Sequence, residues 1–301
     1  MNYAHFLYVP FTGLGRHDGF RGDEWLKNRV EIFKRFTLAS VMNQMNQDFV
    51  LWISWRPEEK ENPIVQDFVK SLASIRDLNV VHTFGGLCFY DDRYPDEVER
   101  KRLFQHLSDT LPELKEWVQN RTVLMTIQPS DDMYLSTAVG DIQGYFTTHP
   151  NMEAVGFQKG YIANYATKEI SEYSCEPWKK DETSVYMTNT NPPFYTMKFP
   201  PDVFLNPKNH MEYTSLKEDV FHEETGELLY AKGTPCPSHE YVYKCLKMGF
   251  FDYRGFVVGT HGVNISTTWT HRYKGRELSK EEQDDILILT GTLFSEPFIV
   301  K

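Results

Sequence analysis

Asp131 and Asp132 stand side by side just past the run Thr122-Val123-Leu124-Met125-Thr126-Ile127, separated from it by Gln128, Pro129 and Ser130. Two adjacent carboxylates each disfavour ionisation of the other unless a cation or a hydrogen-bond donor lies between them. A hard divalent ion that also bridges to phosphate oxygens is one such partner. An acidic turn capping a helix that starts at Ser136 is the other, because aspartate is common at helix starts. Residue types alone leave both readings open. The same holds for the remaining chemical groups. His261, in His-Gly-Val-Asn-Ile-Ser, suits a metal ligand or a histidine bonded to its own turn. Glu240, in Ser238-His239-Glu240, suits a general base, with His239 second, or a first-turn acid favoured by the helix dipole. Arg29 suits a diphosphate, an acceptor or an exposed helix surface. His210 and Glu212 could touch an acceptor.

Elements must bring these groups together. His5–Pro10 reads as a first strand, followed by the glycine-rich loop Phe11–Gly22. That loop can approach a nucleotide closely, which makes Pro10 and Thr12 contact candidates, but its spacing matches neither the dinucleotide fingerprint nor a P-loop. Asp23 is placed to cap a long helix with Trp25, Leu26, Val30, Phe33, Phe36, Leu38 and Val41 at helical spacing. Phe49–Trp55 is apolar enough to be a parallel strand buried on both faces. A helix from Asn62-Pro63 to Arg76 and a strand over Asn79–Thr83 complete a β-α-β-α-β order, which argues for a parallel sheet with right-handed crossovers. Asp91-Asp92 reads as a solvated turn, since no strand leads into it. Glu97–Asn120 is one helix, or two broken near Pro112, delivering the chain to the strand 122–127. In an open α/β sheet ligands bind at the C-terminal strand edge, where Asp131 and Asp132 fall.

The second half is less regular. A helix from Ser136 through Gly140, Ile142 and Tyr145 precedes a strand pair over Ala154–Asn164 and Glu169–Tyr173. Five prolines in Asn189–Lys208 imply a loop-rich wall. Ser238–Met248 reads as a short helix and Phe256–Gly259 as a strand.

The chain has 301 residues, 41% apolar and 15% aromatic, which suffices for one large α/β domain. A net charge of −10 and the lack of an extended basic block exclude an extended nucleic-acid footprint. No apolar run approaches the ~20 residues needed to span a bilayer, and Met1–Pro10 lacks a signal-peptide layout. The expectation is a cytoplasmic protein, with peripheral contact at a membrane surface left open. Cys88, Cys175, Cys236 and Cys245 have no C-x-x-C spacing, which argues against a zinc site or disulfide frame.

Three segments together resemble a GT-A glycosyltransferase and, within that class, the rhamnosyltransferase group. They are Trp25-Leu-Lys-Asn-Arg29 through Ser40-Val-Met-Asn-Gln44 to Phe49-Val-Leu-Trp-Ile53; the strand followed by Ser130-Asp131-Asp132; and His261-Gly-Val-Asn264-Ile-Ser266. The group usually carries an arginine and a third acid where this chain has Gln128, Pro129 and Ser130. The resemblance implies a GT-A-like, mostly parallel sheet in one domain over 1–301, with a nucleotide-sugar half (1–150) and an acceptor half (151–301). It implies transfer of a hexosyl or rhamnosyl unit from a nucleotide-diphosphate sugar to a glycan or other hydroxyl acceptor. Asp132 matches the last position of the metal motif and, with His261, would hold Mn²⁺ or Mg²⁺; imidazole favours Mn²⁺. Asp131 would contact ribose or support Asp132, Arg29 the diphosphate, and Glu240 the acceptor proton. A catalytically silent binding protein and a nucleotidyltransferase are the alternatives, although no glycine-rich signature with a following basic residue is present to grip a triphosphate.

Overall fold

A computed structural model describes residues 3–12, 22–90, 94–174, 178–179, 185–186, 194–222, 225–261 and 274–292. The first half follows the expected order. Strand β1 (Tyr3–Pro10) is followed by helix α1 (Asp23–Ile32), which runs through a π turn (Phe33–Thr37) into α2 (Leu38–Met42). Then come β2 (Val50–Ser54), α3 (Pro63–Ala73) and β3 (Val80–Thr83). The Asn62 side chain accepts the Ile64 N–H at the start of α3, and Pro63 occupies the first turn, where its missing N–H costs nothing. Helix α4 (Asp96–Thr110) passes through a 3₁₀ turn around Pro112 into α5 (Lys115–Val118), and β4 (Thr122–Ile127) follows. These strands lie in the order β3-β2-β1-β4, every neighbour parallel.

Alternation along β1 feeds two cores. Phe6 and Tyr8 pack with Trp52, Met125 and the α4 residues Leu103 and Leu107 on one face. Leu7 and Val9 pack with Leu26, Val30, Phe33, Val65 and Phe68 on the other. Burying both faces of β1 explains its unbroken apolar sequence.

Past β4 the structure departs from several expectations. A two-residue strand, β5 (Met133–Tyr134), precedes helix α6 (Ala138–Thr148), so the helix expected from Ser136 starts later and Asp131 and Asp132 do not cap it. Asp23 is likewise the first helical residue rather than a cap, and its carboxylate accepts the Asn62 amide at 3.2 Å. The antiparallel pair β6 (Ala154–Asn164) and β7 (Ile170–Ser174) falls within one residue of the expected strand pair. Short strands β8 (Trp178–Lys179) and β9 (Val185–Tyr186) pair with each other.

The proline-rich stretch holds a central strand rather than a wall of loops. Strand β10 (Tyr195–Phe199) inserts between β4 and β6, antiparallel to both. Pro200 follows its end, and Pro201 and Pro207 open helices α7 (Pro201–Phe204) and α8 (Pro207–Tyr213) from their first positions. These three prolines therefore bound elements without interrupting a ladder, while Pro192 and Pro193 lie outside the described residues. A hairpin of β11 (Val220–Phe221) and β12 (Leu228–Tyr230) leads to a 3₁₀ turn (His239–Tyr241) and the short helix α9 (Val242–Cys245). The expected helix to Met248 ends early because Met248 opens β13 (Met248–Thr260), a strand much longer than the four residues expected. It runs parallel to β6 and antiparallel to β5. Strand β14 (Lys274–Glu277) pairs with β7, and α10 (Lys280–Thr290) starts from a Ser279–Glu282 capping box. The result is a mixed α/β architecture whose first-half sheet, β3-β2-β1-β4, is parallel and flanked by helices, as the GT-A resemblance implies. No helix among the described residues is long and apolar enough to cross a membrane.

A polar thread crosses the sheet. Gln143 Nε2 donates to His5 Nδ1 at 3.2 Å, so His5 Nε2 carries the proton and donates to Thr126 Oγ1 at 2.7 Å; Thr126 in turn meets Thr196 Oγ1 at 2.6 Å. Burial lowers the His5 pKa to about 3. His210, expected as an acceptor contact, is instead a core residue stacked on Phe199 at 4.7 Å, and burial lowers its pKa to about 4. Both rings are neutral when folded and take up protons first when unfolded, so stability falls as pH drops below 6.5 towards these lowered values. Each histidine should cost about 2 kcal/mol between pH 7 and pH 5, at about 1.4 kcal/mol per pH unit. Urea unfolding of wild type and His5→Gln at both pH values checks this; the variant should lose its share of the dependence.

Candidate functional site

The β1–β4 pairing extends one residue past Ile127, where the Gln128 N–H donates to Tyr8 O at 2.9 Å. Pro129 then turns the chain. The buried Gln128 amide locks the turn by donating to Pro129 O and Asp132 O, each at 3.0 Å. This leaves the two aspartates at the C-terminal edge of β4, beside the end of β1.

Asp131 meets side chains from two remote elements. Arg29 Nη1 of α1 lies 2.6 Å from Asp131 Oδ2, with the arginine side chain 4% exposed. His261 Nε2, just beyond β13, lies 3.2 Å from the same oxygen. The Arg29 guanidinium also sits 5.4 Å from the Trp25 ring centroid. Tyr165 braces the turn from the β6–β7 side: its hydroxyl donates to the Asp131 carbonyl at 2.6 Å, and its ring stacks on Phe36 at 3.6 Å and faces His261 at 6.0 Å. Asp132 points elsewhere. Its Oδ1 accepts the Gly259 N–H of β13 at 2.8 Å. A Cβ on Gly259 would stand 2.3 Å from both the Asp131 carbonyl and the Tyr165 hydroxyl, which is why this strand position carries glycine.

The two carboxyls are pushed in opposite directions. Burial would raise the pKa of Asp131, but Arg29 and His261 outweigh it and hold the group well below the usual carboxylate range. Burial, followed by the negative charge of Asp131, drives Asp132 well above that range. One carboxylate is thus the fixed anion of the site and the other a buried acid.

Of the residues expected from sequence, Arg29, Asp131, Asp132 and His261 come together. The carboxylate that meets His261 is Asp131, whereas Asp132 meets backbone. Arg29 is buried rather than part of an exposed helix surface. Pro10 ends β1, and Thr12, two residues on, donates its hydroxyl to Glu59. Glu240 is exposed in the 3₁₀ turn, with its N–H donating to Ser238 Oγ at 3.2 Å; His239 precedes it. Cys236 and Cys245, which bracket that turn, pack in the same core cluster as Tyr195, the first residue of β10. The turn therefore neighbours the sheet edge, although no described contact joins Glu240 or His239 to Asp131. Residues 262–273 and 13–21 lie outside the described residues, and with them Asn264, Ser266 and most of the glycine-rich loop; Asp91-Asp92 does too.

Sequence reasoning missed Gln128, Tyr165 and Gly259. Gly259 had a signal, since a glycine inside an apolar strand marks close backbone approach. Tyr165 had none that separates it from the other sixteen of 17 tyrosines.

Among the described residues no group of three or more His, Cys, Asp or Glu side chains could hold a metal ion. Asp131 Oδ2 already takes Arg29 and His261, and Asp132 Oδ1 takes a backbone N–H. One oxygen of each carboxylate is thus already engaged within the protein.

No family model matches the chain, and no curated protein matches it. Among solved structures, S. aureus TarS 1–349 is similar with 11% identity over 85% of this chain and a TM-score of 0.40. The same fragment in complex with UDP is similar with 9% identity, 87% coverage and a TM-score of 0.40. This chain spans about 60% of the length of those TarS structures. A 4-diphosphocytidyl-2C-methyl-D-erythritol synthase from Anaerococcus prevotii is similar with 12% identity over 95% of this chain and 97% of its own, at a TM-score of 0.31. The architecture here is read from the chain's own strand order.

Three substitutions test the construction of the site and its surroundings. Gly259→Ala should destabilise by about 1–3 kcal/mol because backbone must shift. Gly144→Ala, in a helix where the added methyl meets nothing within 4 Å, should instead stabilise by about 0.5–1 kcal/mol. Asp131→Ala strands a buried guanidinium and should cost about 3–5 kcal/mol. Urea denaturation measures all three.

Proposed function

We propose that the chain transfers a glycosyl unit from a nucleoside-diphosphate sugar to a hydroxyl acceptor. The observation that carries this reading is where Asp131, Asp132, Arg29 and His261 converge. In the order β3-β2-β1-β4, successive connections run in one direction from β1 to β3, and the chain then returns to β1's other side as β4. That reversal is a topological switch point at the C-terminal ends of β1 and β4, the place where nucleotides bind in open α/β sheets. Pro10 ends β1 with Thr12 just beyond it, and the aspartate turn follows β4.

The residues divide the work. Arg29 supplies positive charge and unshared donors to a diphosphate, and Asp131 holds its guanidinium in place while offering a carboxylate oxygen to ribose hydroxyls. His261 steadies the same Asp131 oxygen from the end of β13. In the transfer step the acceptor oxygen bonds to the sugar's anomeric carbon, and the bond to the diphosphate oxygen breaks with its electron pair. The acceptor proton passes to Glu240, whose exposed carboxylate stands in a turn packed beside the start of β10. Charge that develops on the departing diphosphate is met by Arg29, which requires no reorganisation at the moment of reaction.

Incubation with a panel of nucleoside-diphosphate sugars and glycan acceptors, read as release of nucleoside diphosphate, tests the reading. One donor should be consumed. Asp131→Asn should lower turnover by about 10²–10³-fold. Glu240→Gln should lower kcat by about 10²-fold or more while leaving donor KM near wild type. Consumption of no donor, and binding of none, would sink the proposal.

A further inference from the structure

We infer that Arg29 acts as the built-in counter-ion for the diphosphate, so that nucleotide binding at this site is independent of a divalent cation. The inference rests on the transferase reading above and deepens it. It follows from how the donors around the aspartate pair are already committed. Asp131 Oδ2 is shared by Arg29 Nη1 at 2.6 Å and His261 Nε2 at 3.2 Å. A divalent ion on that oxygen would have to displace a guanidinium that is itself buried, or sit against it as a like charge. Asp132 is no freer. Its Oδ1 accepts the Gly259 N–H, and that N–H belongs to a strand paired with β6 from Met248 to Thr260. Turning the carboxylate toward a metal would leave a buried backbone donor unpaired. Gln128, Pro129 and Ser130, directly before the pair, add no carboxylate, and the Gln128 amide is spent on the Pro129 and Asp132 carbonyls.

Arg29, by contrast, has unused capacity. A guanidinium carries five N–H donors in a rigid fork that matches phosphate oxygens. Here the residue is 3% exposed, yet its Nε has no hydrogen-bond partner. A buried, permanently charged group with an unpaired donor, against the turn that follows β4, is complementary to an anion. Asp131 fixes its position from one side and the Trp25 ring from another. The guanidinium is thus oriented before any ligand arrives.

Calorimetric titration of UDP, GDP, ADP and dTDP into the wild-type chain, in EDTA and again in Mn²⁺, reads this directly. The expected result is one nucleoside diphosphate bound with a Kd that agrees within about twofold between the two buffers. A parallel readout titrates protein into Mn²⁺ and follows the free-ion paramagnetic resonance signal, which should persist at stoichiometric protein with or without the nucleotide. Arg29→Lys, checked for folding by circular dichroism, keeps the charge but loses the fork, and should weaken the nucleotide by about tenfold in both buffers. Binding that requires Mn²⁺, or stoichiometric uptake of the ion, overturns the inference and leaves the transferase reading standing. Donor turnover with no nucleoside diphosphate bound in EDTA does the same. Failure to bind any nucleoside diphosphate in either buffer, together with no donor turnover, removes both.

Discussion

The contact between Arg29 and Asp131 is the constraint on which the site depends. It joins a helix from the first crossover to a turn that follows the fourth strand, far apart in sequence, and both side chains lie mostly out of water. Burying two charges is costly, and their attraction offsets that cost only when the geometry is good and the remaining polar atoms find partners. The surrounding elements meet that condition for Asp131. Tyr165 holds its carbonyl, His261 shares its carboxylate, and Gln128 closes the turn beneath it. The arginine keeps an open donor instead. The imbalance is informative: the network is complete around the anion and incomplete around the cation.

Three remote segments converge on one short turn. The parallel sheet sets its depth, because Gln128 continues the β1–β4 ladder. The β6–β7 connection supplies Tyr165, whose backbone N–H donates to Thr260 O at 2.9 Å. The end of β13 supplies Gly259 and His261. Since β6 and β13 run parallel and finish together at Asn164 and Thr260, they deliver Tyr165 and His261 to the same level of the molecule. The stack of Phe36, Tyr165 and His261 follows from that shared endpoint.

Much of this was legible in the sequence, and where it was not the reason is physical. The first four strands and their helices announce themselves because each is local, periodic and closed by Asn, Pro or Gly. Strand β10 does not. Its five residues sit in a proline-rich stretch, and its place in the sheet is decided by pairing with β4 and β6, partners that no local pattern names. Met248–Phe251 was hidden for a similar reason, since a strand paired along a long parallel partner needs no alternation of its own. At the site, Arg29, Asp131, Asp132 and His261 could be picked out by type and neighbourhood. The division of labour between the aspartates could not. It follows from which oxygen faces α1 and which faces β13, and adjacent residues in a turn can point either way.

The π turn at Phe33–Thr37 sets a phase for the helix that carries Arg29. One extra residue in a helical turn rotates everything beyond it by about 100° relative to an uninterrupted α-helix. Leu26, Val30 and Phe33 lie against the α3 side of the sheet, while Ile32 and Phe36 lie against Tyr165 and Met133. Phe36, inside the turn, is the residue that stacks on the Tyr165 ring. The chain thereby uses one length of helix as two addresses: the part before the turn seats the guanidinium, and the turn itself seats the aromatic floor. A single-residue deletion there would be read by the molecule as a change of angle more than a change of length.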